Sequence, residues 1–83
     1  MNKQTYREAL GERLRAFREE KGLTVYKVSL KGRIKHDQVK SVEAGDKNYT
    51  IDSFLGYLKG CGLCMAFKKT EEIQNNPQSI QIE

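Results

Sequence analysis

Glycine and threonine residues divide the first 62 residues into short segments, and their spacing is the feature that most constrains the fold. In the first segment, residues 2–21, apolar side chains recur every three or four positions, at Tyr6, Leu10, Leu14 and Phe17. That spacing places them along one face of an α-helix. Gly22 follows, and glycine readily adopts the left-handed backbone that commonly ends a helix. The sequence therefore predicts a first helix that stops before Gly22.

The next two predicted helices are short and closely joined. Thr24 is placed to cap a helix over residues 25–31, and Gly32 is expected to break that helix after barely two turns. A third helix is predicted over residues 36–44, in which Val39 and Val42 share a face. The expected result is a pair of short helices around a tight connection.

A fourth helix is predicted after the turn-forming residues 45–48. Thr50 is its candidate cap, and Asp52 would lie near its positively polarised start. Gly60 and Gly62 are expected to end it. The side chains predicted to face inward from this helix are Ile51, Phe54, Leu55 and Leu58.

Residues 63–69 change from helical to alternating periodicity. Leu63, Met65 and Phe67 alternate with other side chains, as in a β-strand that buries one face. Because no second convincing strand occurs in the chain, a second copy is predicted to pair with this strand across a two-fold axis. The alternative is an irregular extended segment packed on the fourth helix. The polar residues 70–83 are interpreted as a flexible tail.

Basic residues are concentrated in the N-terminal part of the chain. Residues 1–50 contain 12 Lys or Arg against 7 Asp or Glu, whereas residues 51–83 contain 3 against 4. A cluster within residues 27–40 comprises Lys27, Lys31, Arg33, Lys35 and Lys40, opposed only by Asp37. Such a patch attracts phosphate, although an ordinary solvated basic face has the same composition.

Composition and motifs disfavour several other classes of protein. The sequence has no apolar run near the roughly 20 residues that cross a membrane, and its N-terminus lacks the apolar core of a secretory signal. A cytoplasmic location without membrane association is therefore expected, with Cys61 and Cys64 as reduced packing residues. A zinc site shared across a dimer is the alternative for these cysteines. His36 has no apparent nucleophile beside it, so neither an enzyme nor a cofactor is expected.

The third predicted helix has a polar face suited to DNA. Two short helices packed on a longer one, and closed by a fourth, form an arrangement in which the second short helix enters the major groove. Glutamine pairs with adenine there, lysine and histidine donate to guanine, aspartate accepts from cytosine, and serine does either. The residues left outside the valine face are His36, Asp37, Gln38, Lys40 and Ser41. An ordinary solvated helix remains the alternative.

The order of these residues resembles the phage repressor and Cro type (XRE-like) helix-turn-helix family. The likeness covers about residues 8–62 and keeps the family's length without a gap from Leu23 to Glu43. It implies an all-α, lambda-repressor-like DNA-binding domain of four to five helices over residues 1–62, followed by a short C-terminal β-strand over residues 63–69 that pairs across a dimer. The matching positions are Arg18, Gly22-Leu23-Thr24, Ile34, Val39, Val42 and Glu43-Ala44-Gly45.

The resemblance also implies roles for individual residues. Base contacts are assigned to His36, Asp37 and Ser41, with Gln38 as a further candidate. Phosphate contacts, which position a protein on DNA without reading its sequence, are expected from a second group. That group consists of Thr24, Lys27, Lys47 and Asn48, with Lys35 and Lys40 added on charge and position.

Two further positions, Arg18 and Glu43, match a partly buried ion pair that in this family ties the first helix to the end of the third. Breaking a buried pair leaves one charge uncompensated, so its role would be to hold the third helix in place. Two independent surface charges are the alternative.

The chain departs from the family pattern around the turn before the third helix. Gly32 precedes Arg33, whereas the family usually has a large apolar residue followed by the turn glycine. Lys35 stands where a capping serine or threonine is usual.

The C-terminal stretch DSFLGYLKGCGLCMAF is similar to the end of helix-turn-helix antitoxins that partner persistence-type kinase toxins. In those proteins a strand after the last helix pairs between subunits, which would make Leu63, Met65 and Phe67 dimer contacts. The sequence favours a dimeric transcriptional regulator, expected to be a repressor, that reads a palindromic operator in double-stranded DNA through residues 36–44. The alternative is an antitoxin that binds a protein toxin and regulates its own operon.

Overall fold

The computed structural model describes residues 3–70, which are all-helical as predicted. Four helices follow one another: α1 (Tyr6–Glu20), α2 (Val25–Gly32), α3 (His36–Ala44) and α4 (Ile51–Cys61). Helix α1 packs mainly on α3, whereas α2 packs closely on α4 and more lightly on α3. None of the described helices is long and apolar enough to span a bilayer.

Threonine residues begin three of the four helices, as local capping chemistry requires. Thr5 forms a capping box with Glu8, in which each side chain accepts a hydrogen bond from the other residue's backbone amide. Thr24 accepts from the amide of Lys27, and Thr50 accepts from that of Ser53. A cap of this kind contributes about 1 kcal/mol to stability, so the helix starts are largely set by neighbours in sequence.

Glycines allow the backbones of α2 and α4 to approach closely, and one of them, Gly60, does not have the helix-ending role predicted for it. Both Gly32 and Gly60 were expected to end helices: Gly32 does so as the last residue of α2, whereas Gly60 lies within α4. A Cβ at Gly32 would lie 2.1 Å from the carbonyl oxygen of Gly56, and one at Gly60 would lie 2.4 Å from that of Val28. The left-handed residues that follow the two helices are Arg33 and Gly62.

This close approach also decides which side of α4 is buried. Three side chains of α4 face the core at a four-residue spacing: Ser53, Tyr57 and Cys61. Tyr57 is completely buried, whereas Ile51 is 63% exposed and Leu55 is 44% exposed. The prediction that Ile51 and Leu55 face inward was therefore wrong, because the glycine contact with α2 rotates them outward.

The core is built from all four helices and is dominated by small and branched side chains. Tyr6, Leu10, Leu14 and Phe17 were predicted to share one face of α1. In the single chain Tyr6 and Phe17 are exposed, and only Leu14 of the four belongs to the buried core. Partly buried side chains such as Leu10 pack around this centre. The buried apolar residues are Leu14, Val28, Val39, Val42, Tyr57, Leu58 and Cys61.

Residues 63–69 carry no regular secondary structure within the single chain. The amide of Leu63 donates to the carbonyl of Leu58, and its side chain is half-buried against the core. Met65 and Phe67 point into solvent, with Phe67 88% exposed. Because the predicted strand would pair with a second copy, a single chain does not test it, and it stays a prediction. Apart from Thr70, the predicted tail lies outside the described residues.

The two cysteines have different environments. Cys61 belongs to the core, where burial raises the pKa of its thiol. Cys64 is exposed in the single chain, so the prediction that both are packing residues is confirmed for Cys61, and for Cys64, within the segment predicted to pair, it stays a prediction. The two environments differ because α4 ends at Cys61, and the chain beyond Leu63 leaves the core.

Replacement of Gly60 by alanine tests the close contact between α2 and α4. Helix propensity alone would stabilise the protein by about 1 kcal/mol. We expect a loss of about 2–3 kcal/mol instead, because the added methyl group meets the backbone of Val28. Chemical denaturation measures the free energy of unfolding.

Gly22→Ala is the matched control, because no atom lies within 4 Å of a Cβ there and only the left-handed backbone is strained. This substitution should lower the free energy of unfolding by about 1 kcal/mol. A Gly60→Ala variant more stable than the parent would contradict the packing explanation.

Candidate nucleic-acid interface

Helix α3 presents a polar face that its own chain leaves uncovered. Its two valines, Val39 and Val42, are buried at 0% and 1% exposure and fasten one side of the helix to the core. The four residues predicted to contact bases lie on the remaining arc: His36 and Asp37 are exposed, and Gln38 and Ser41 are half-buried. The helix therefore offers both hydrogen-bond donors and hydrogen-bond acceptors to a molecule that approaches from solvent.

The start of α3 differs from the other helix starts. Its N-cap residue, Lys35, makes no side-chain capping hydrogen bond, as the departure from the family pattern indicates. Asp37 in the first turn places a negative charge near the positive end of the helix. Without a side-chain cap, α3 depends more strongly on tertiary contacts for its position.

The strongest of these contacts is an ion pair between Arg18 and Glu43. The Nε of Arg18 donates to Oε2 of Glu43 at 2.5 Å, and Nη2 donates to Oε1 at 3.1 Å. The remaining Nη1 donates to the carbonyl oxygen of Leu23 in the α1–α2 connection at 2.9 Å. The side chains of the pair are only 11% and 9% exposed. The hydrogen bond to Glu43 raises the pKa of the Arg18 guanidinium, which stays charged.

Tyr57 completes this arrangement from α4, as a partner of Glu43 that the sequence analysis did not identify. Its hydroxyl donates to Oε2 of Glu43 at 2.5 Å. Burial, followed by the hydrogen bond to Glu43, raises the pKa of the phenol, so the hydroxyl remains a donor. One carboxylate near the end of α3 thus joins α1 and α4. A signal for Tyr57 was available in its four-residue spacing from Ser53 and Cys61.

Gly11 brings these groups within reach of one another. A Cβ at this position on α1 would lie 2.4 Å from the carbonyl oxygen of Glu43 and 2.7 Å from that of Val42. The end of α3 therefore rests directly on the backbone of α1, and Arg18, further along α1, reaches the Glu43 carboxylate from there.

A second arginine, Arg7, organises the loop between α3 and α4. Its Nη1 donates to the carbonyl oxygen of Asp46 at 2.9 Å, and its guanidinium carbon lies 4.1 Å from the centre of the Tyr49 ring. The Tyr49 ring in turn stacks on Phe54 of α4, with 6.2 Å between ring centroids. Arg7 was not among the predicted site residues, because its partners lie about 40 positions away in the sequence.

The loop held by Arg7 carries Lys47 and Asn48, both predicted to contact phosphates and both exposed. The hydroxyl oxygen of Thr24 accepts the capping hydrogen bond of α2, and its hydroxyl hydrogen remains available to donate to a phosphate. All six predicted phosphate-contacting residues are exposed: Thr24, Lys27, Lys35, Lys40, Lys47 and Asn48.

A shallow groove of about 510 Å³ separates the α2–α3 turn from the start of α4. Lys35 and Gln38 line it from the side of α3, and Asn48 and Thr50 line it from the loop and the cap of α4. Predicted base-contacting and phosphate-contacting residues from two elements therefore share one surface. Among residues 3–70, no three His, Cys, Asp or Glu side chains come together as metal ligands would.

Substitution of Tyr57 by phenylalanine isolates the third hydrogen bond to Glu43. We expect a loss of about 1.5–3 kcal/mol in the free energy of unfolding, because the carboxylate loses a buried donor while the ring still fills the core. Urea denaturation measures this loss. Tyr49→Phe is the control, because no hydrogen bond of the Tyr49 hydroxyl occurs within residues 3–70. Equal stability of the two variants would exclude a structural role for the Tyr57 hydroxyl.

The arrangement of the helices is similar to that in two solved protein structures. No family model and no curated protein matches the chain. A solved structure described as "MDT Protein" matches with a TM-score of 0.71 and 21% identity, covering 84% of this chain and 99% of that one. A chain in "Structure of HipA-HipB-O2-O3 complex" matches with a TM-score of 0.71 and 23% identity, with the same two coverages. The chain therefore shares its fold with proteins of these two structures.

Proposed function

We propose that this chain is a sequence-specific DNA-binding antitoxin, which reads an operator through α3 and also holds a toxin protein. The observation that carries the DNA-binding part is the uncovered polar face of α3, held in place by the buried Arg18–Glu43 pair. The toxin-binding part is supported by the similarity in fold to a chain from a complex whose name includes HipA and HipB. The C-terminal likeness to antitoxins of persistence-type kinase toxins supports it as well.

The dimensions of α3 suit the major groove. An α-helix with its side chains is about 10–12 Å across, which fits a groove about 12 Å wide, and the nine residues of α3 extend about 13.5 Å along it. Exposed cations flank it on α2 and on the α3–α4 loop, at Lys27 and Lys47. Phosphate contacts from these residues would fix the register of the helix, and the side chains of α3 would then discriminate between bases. Each good base contact contributes about 1–3 kcal/mol of discrimination.

A homodimer would present two copies of α3 to the DNA. The exposed side chains of Met65 and Phe67 leave an apolar segment uncovered in the single chain. Pairing of residues 63–69 with the same segment of a second copy would bury these side chains and satisfy the strand backbone. Two recognition helices about 34 Å apart would then read half-sites one turn apart on a palindrome.

The second candidate function is a stand-alone transcriptional repressor with no toxin. It uses the same DNA-binding residues and the same dimer, so the interface of α3 supports both functions equally. The similarity to a chain in the HipA-HipB complex favours the antitoxin. Neither function requires a cofactor or a catalytic residue.

Variants of the polar face test sequence-specific binding. We expect His36→Ala and Gln38→Ala to relax sequence preference, because each would remove a base contact. Lys47→Ala should weaken binding to all DNA similarly and reduce the salt dependence, because it would remove a phosphate contact. Selection of bound fragments from random DNA, followed by salt titrations on the selected site, measures both effects. Identical behaviour of the three variants would contradict the division into base and phosphate contacts.

Phe67→Asp tests the dimer. We expect sedimentation to show a monomer, because a charge would replace the most exposed apolar side chain of the proposed interface. Leu30→Asp on α2 is the matched control, since Leu30 is 59% exposed and lies outside residues 63–69, and it should keep the dimer mass. A Phe67→Asp variant that remains dimeric would remove the proposed ribbon.

Co-expression with the product of the neighbouring gene distinguishes an antitoxin from a stand-alone repressor. An antitoxin should co-purify with that product in a fixed ratio, suppress its toxicity, and bind the selected DNA site in the complex. Binding of the DNA site without any association with that product would favour the repressor.

A further inference from the structure

The turn between α2 and α3 contains the only non-glycine residue with a positive φ among residues 3–70. Arg33 has φ 55° and ψ 43°, which is left-handed helical backbone. This conformation is unfavourable for a residue with a Cβ, which comes too close to the following carbonyl oxygen, whereas glycine adopts it freely. The adjacent glycine, Gly32, does not relieve the turn, because it is committed to the contact with Gly56. A strained position thus carries a large charged side chain.

Contacts within the chain do not explain the choice of arginine. Arg33 is exposed, and its guanidinium makes no hydrogen bond or ion pair within residues 3–70. Arg7 and Arg18 differ, since both donate to named acceptors that hold the fold together. The turn itself uses only the backbone of Arg33, whose amide donates to Leu30. An asparagine or glycine there would preserve that bond.

The location of Arg33 suggests what the side chain is for. It lines the groove described above, on the wall that it shares with Lys35 and Gln38. Asn48 and Thr50 stand on the opposite side, together with the carboxylate-bearing Asp52. The positive charge is therefore concentrated on the wall nearest the start of α3, where a strand of DNA entering beside that helix would pass.

We infer that Arg33 is a further DNA-contacting residue, whose guanidinium binds a backbone phosphate at this groove. The forked donors of arginine match two phosphate oxygens, and the exposed side chain loses no internal partner when it binds. DNA binding then explains why a charged residue is kept at a left-handed position at some cost in stability. The inference rests on the proposed function, because it requires that α3 faces DNA.

Replacement of Arg33 by glycine should shift stability and DNA affinity in opposite directions. We expect Tm to rise by about 3 °C, because glycine removes the left-handed strain. Affinity for the selected DNA site at about 0.1 M salt should fall about five- to tenfold, because a charge-assisted phosphate contact is lost. The slope of log affinity against log salt should shrink by about 0.9, as expected for one phosphate.

Three further variants separate charge from backbone effects. Arg33→Asn tolerates the left-handed backbone without a charge, and it should lose affinity as Arg33→Gly does. Arg33→Lys keeps the charge, and its affinity should stay within about twofold to threefold of the parent with an unchanged salt slope. Arg13→Ala removes one positive charge from an exposed position on α1 outside the groove, and it should leave affinity unchanged.

Several results would overturn the inference. Unchanged DNA affinity and salt slope in Arg33→Gly would do so, as would an equal loss of affinity in Arg13→Ala. A loss of affinity in Arg33→Gly that Arg33→Asn does not share would also overturn it. So would a fall in Tm in Arg33→Gly. Failure of the parent protein to select any DNA sequence is a different result, because it would overturn the proposed function itself. The same binding series therefore distinguishes the two failures.

Discussion

The carboxylate of Glu43 is the group on which the position of α3 depends. It accepts hydrogen bonds from Arg18 on α1 and from Tyr57 on α4, while Glu43 itself lies near the end of α3. Removal of one partner from a buried ion pair costs about 3–5 kcal/mol, because the other charge is left uncompensated. A tilt of α3 would break all of these bonds together. The buried charge thus specifies the orientation of the helix, whatever its net contribution to stability.

Glycine contacts bring the groups of this network together. Gly11 lets the end of α3 rest on α1, and Gly32, Gly56 and Gly60 let α2 and α4 approach backbone to backbone. The second contact sets the rotation of α4, and that rotation directs Tyr57 towards Glu43. Helices that each expose a polar side can thereby share a small core. The cost is low tolerance of any added methyl group at the crossings.

The same frame serves either of the functions considered above. Arg7 holds the loop that carries Lys47 and Asn48, so these two residues as well as α3 are tied to α1. A domain of this size buries only about 60% of the surface that its unfolded chain exposes. An uncovered apolar segment after α4 therefore has a physical reason to associate with another chain. An antitoxin and a repressor differ in the chains with which they associate, whereas α3 is held in the same way in both.

The sequence by itself determined the four helices of residues 3–70 and the polar face of α3. Threonine caps, left-handed glycines and the spacing of Val39 and Val42 act over a few residues, so they can be read without a fold. The pair of Arg18 and Glu43 was expected only through the resemblance to a family. Tertiary structure decided that Gly32 and Gly60 are contacts between helices, that Ile51 and Leu55 face outward, and that Tyr57 bonds to Glu43. It also decided that Arg7 reaches the distant loop and that the strained turn residue is Arg33. These outcomes depend on how helices far apart in the sequence cross, and local periodicity contains no information about that crossing.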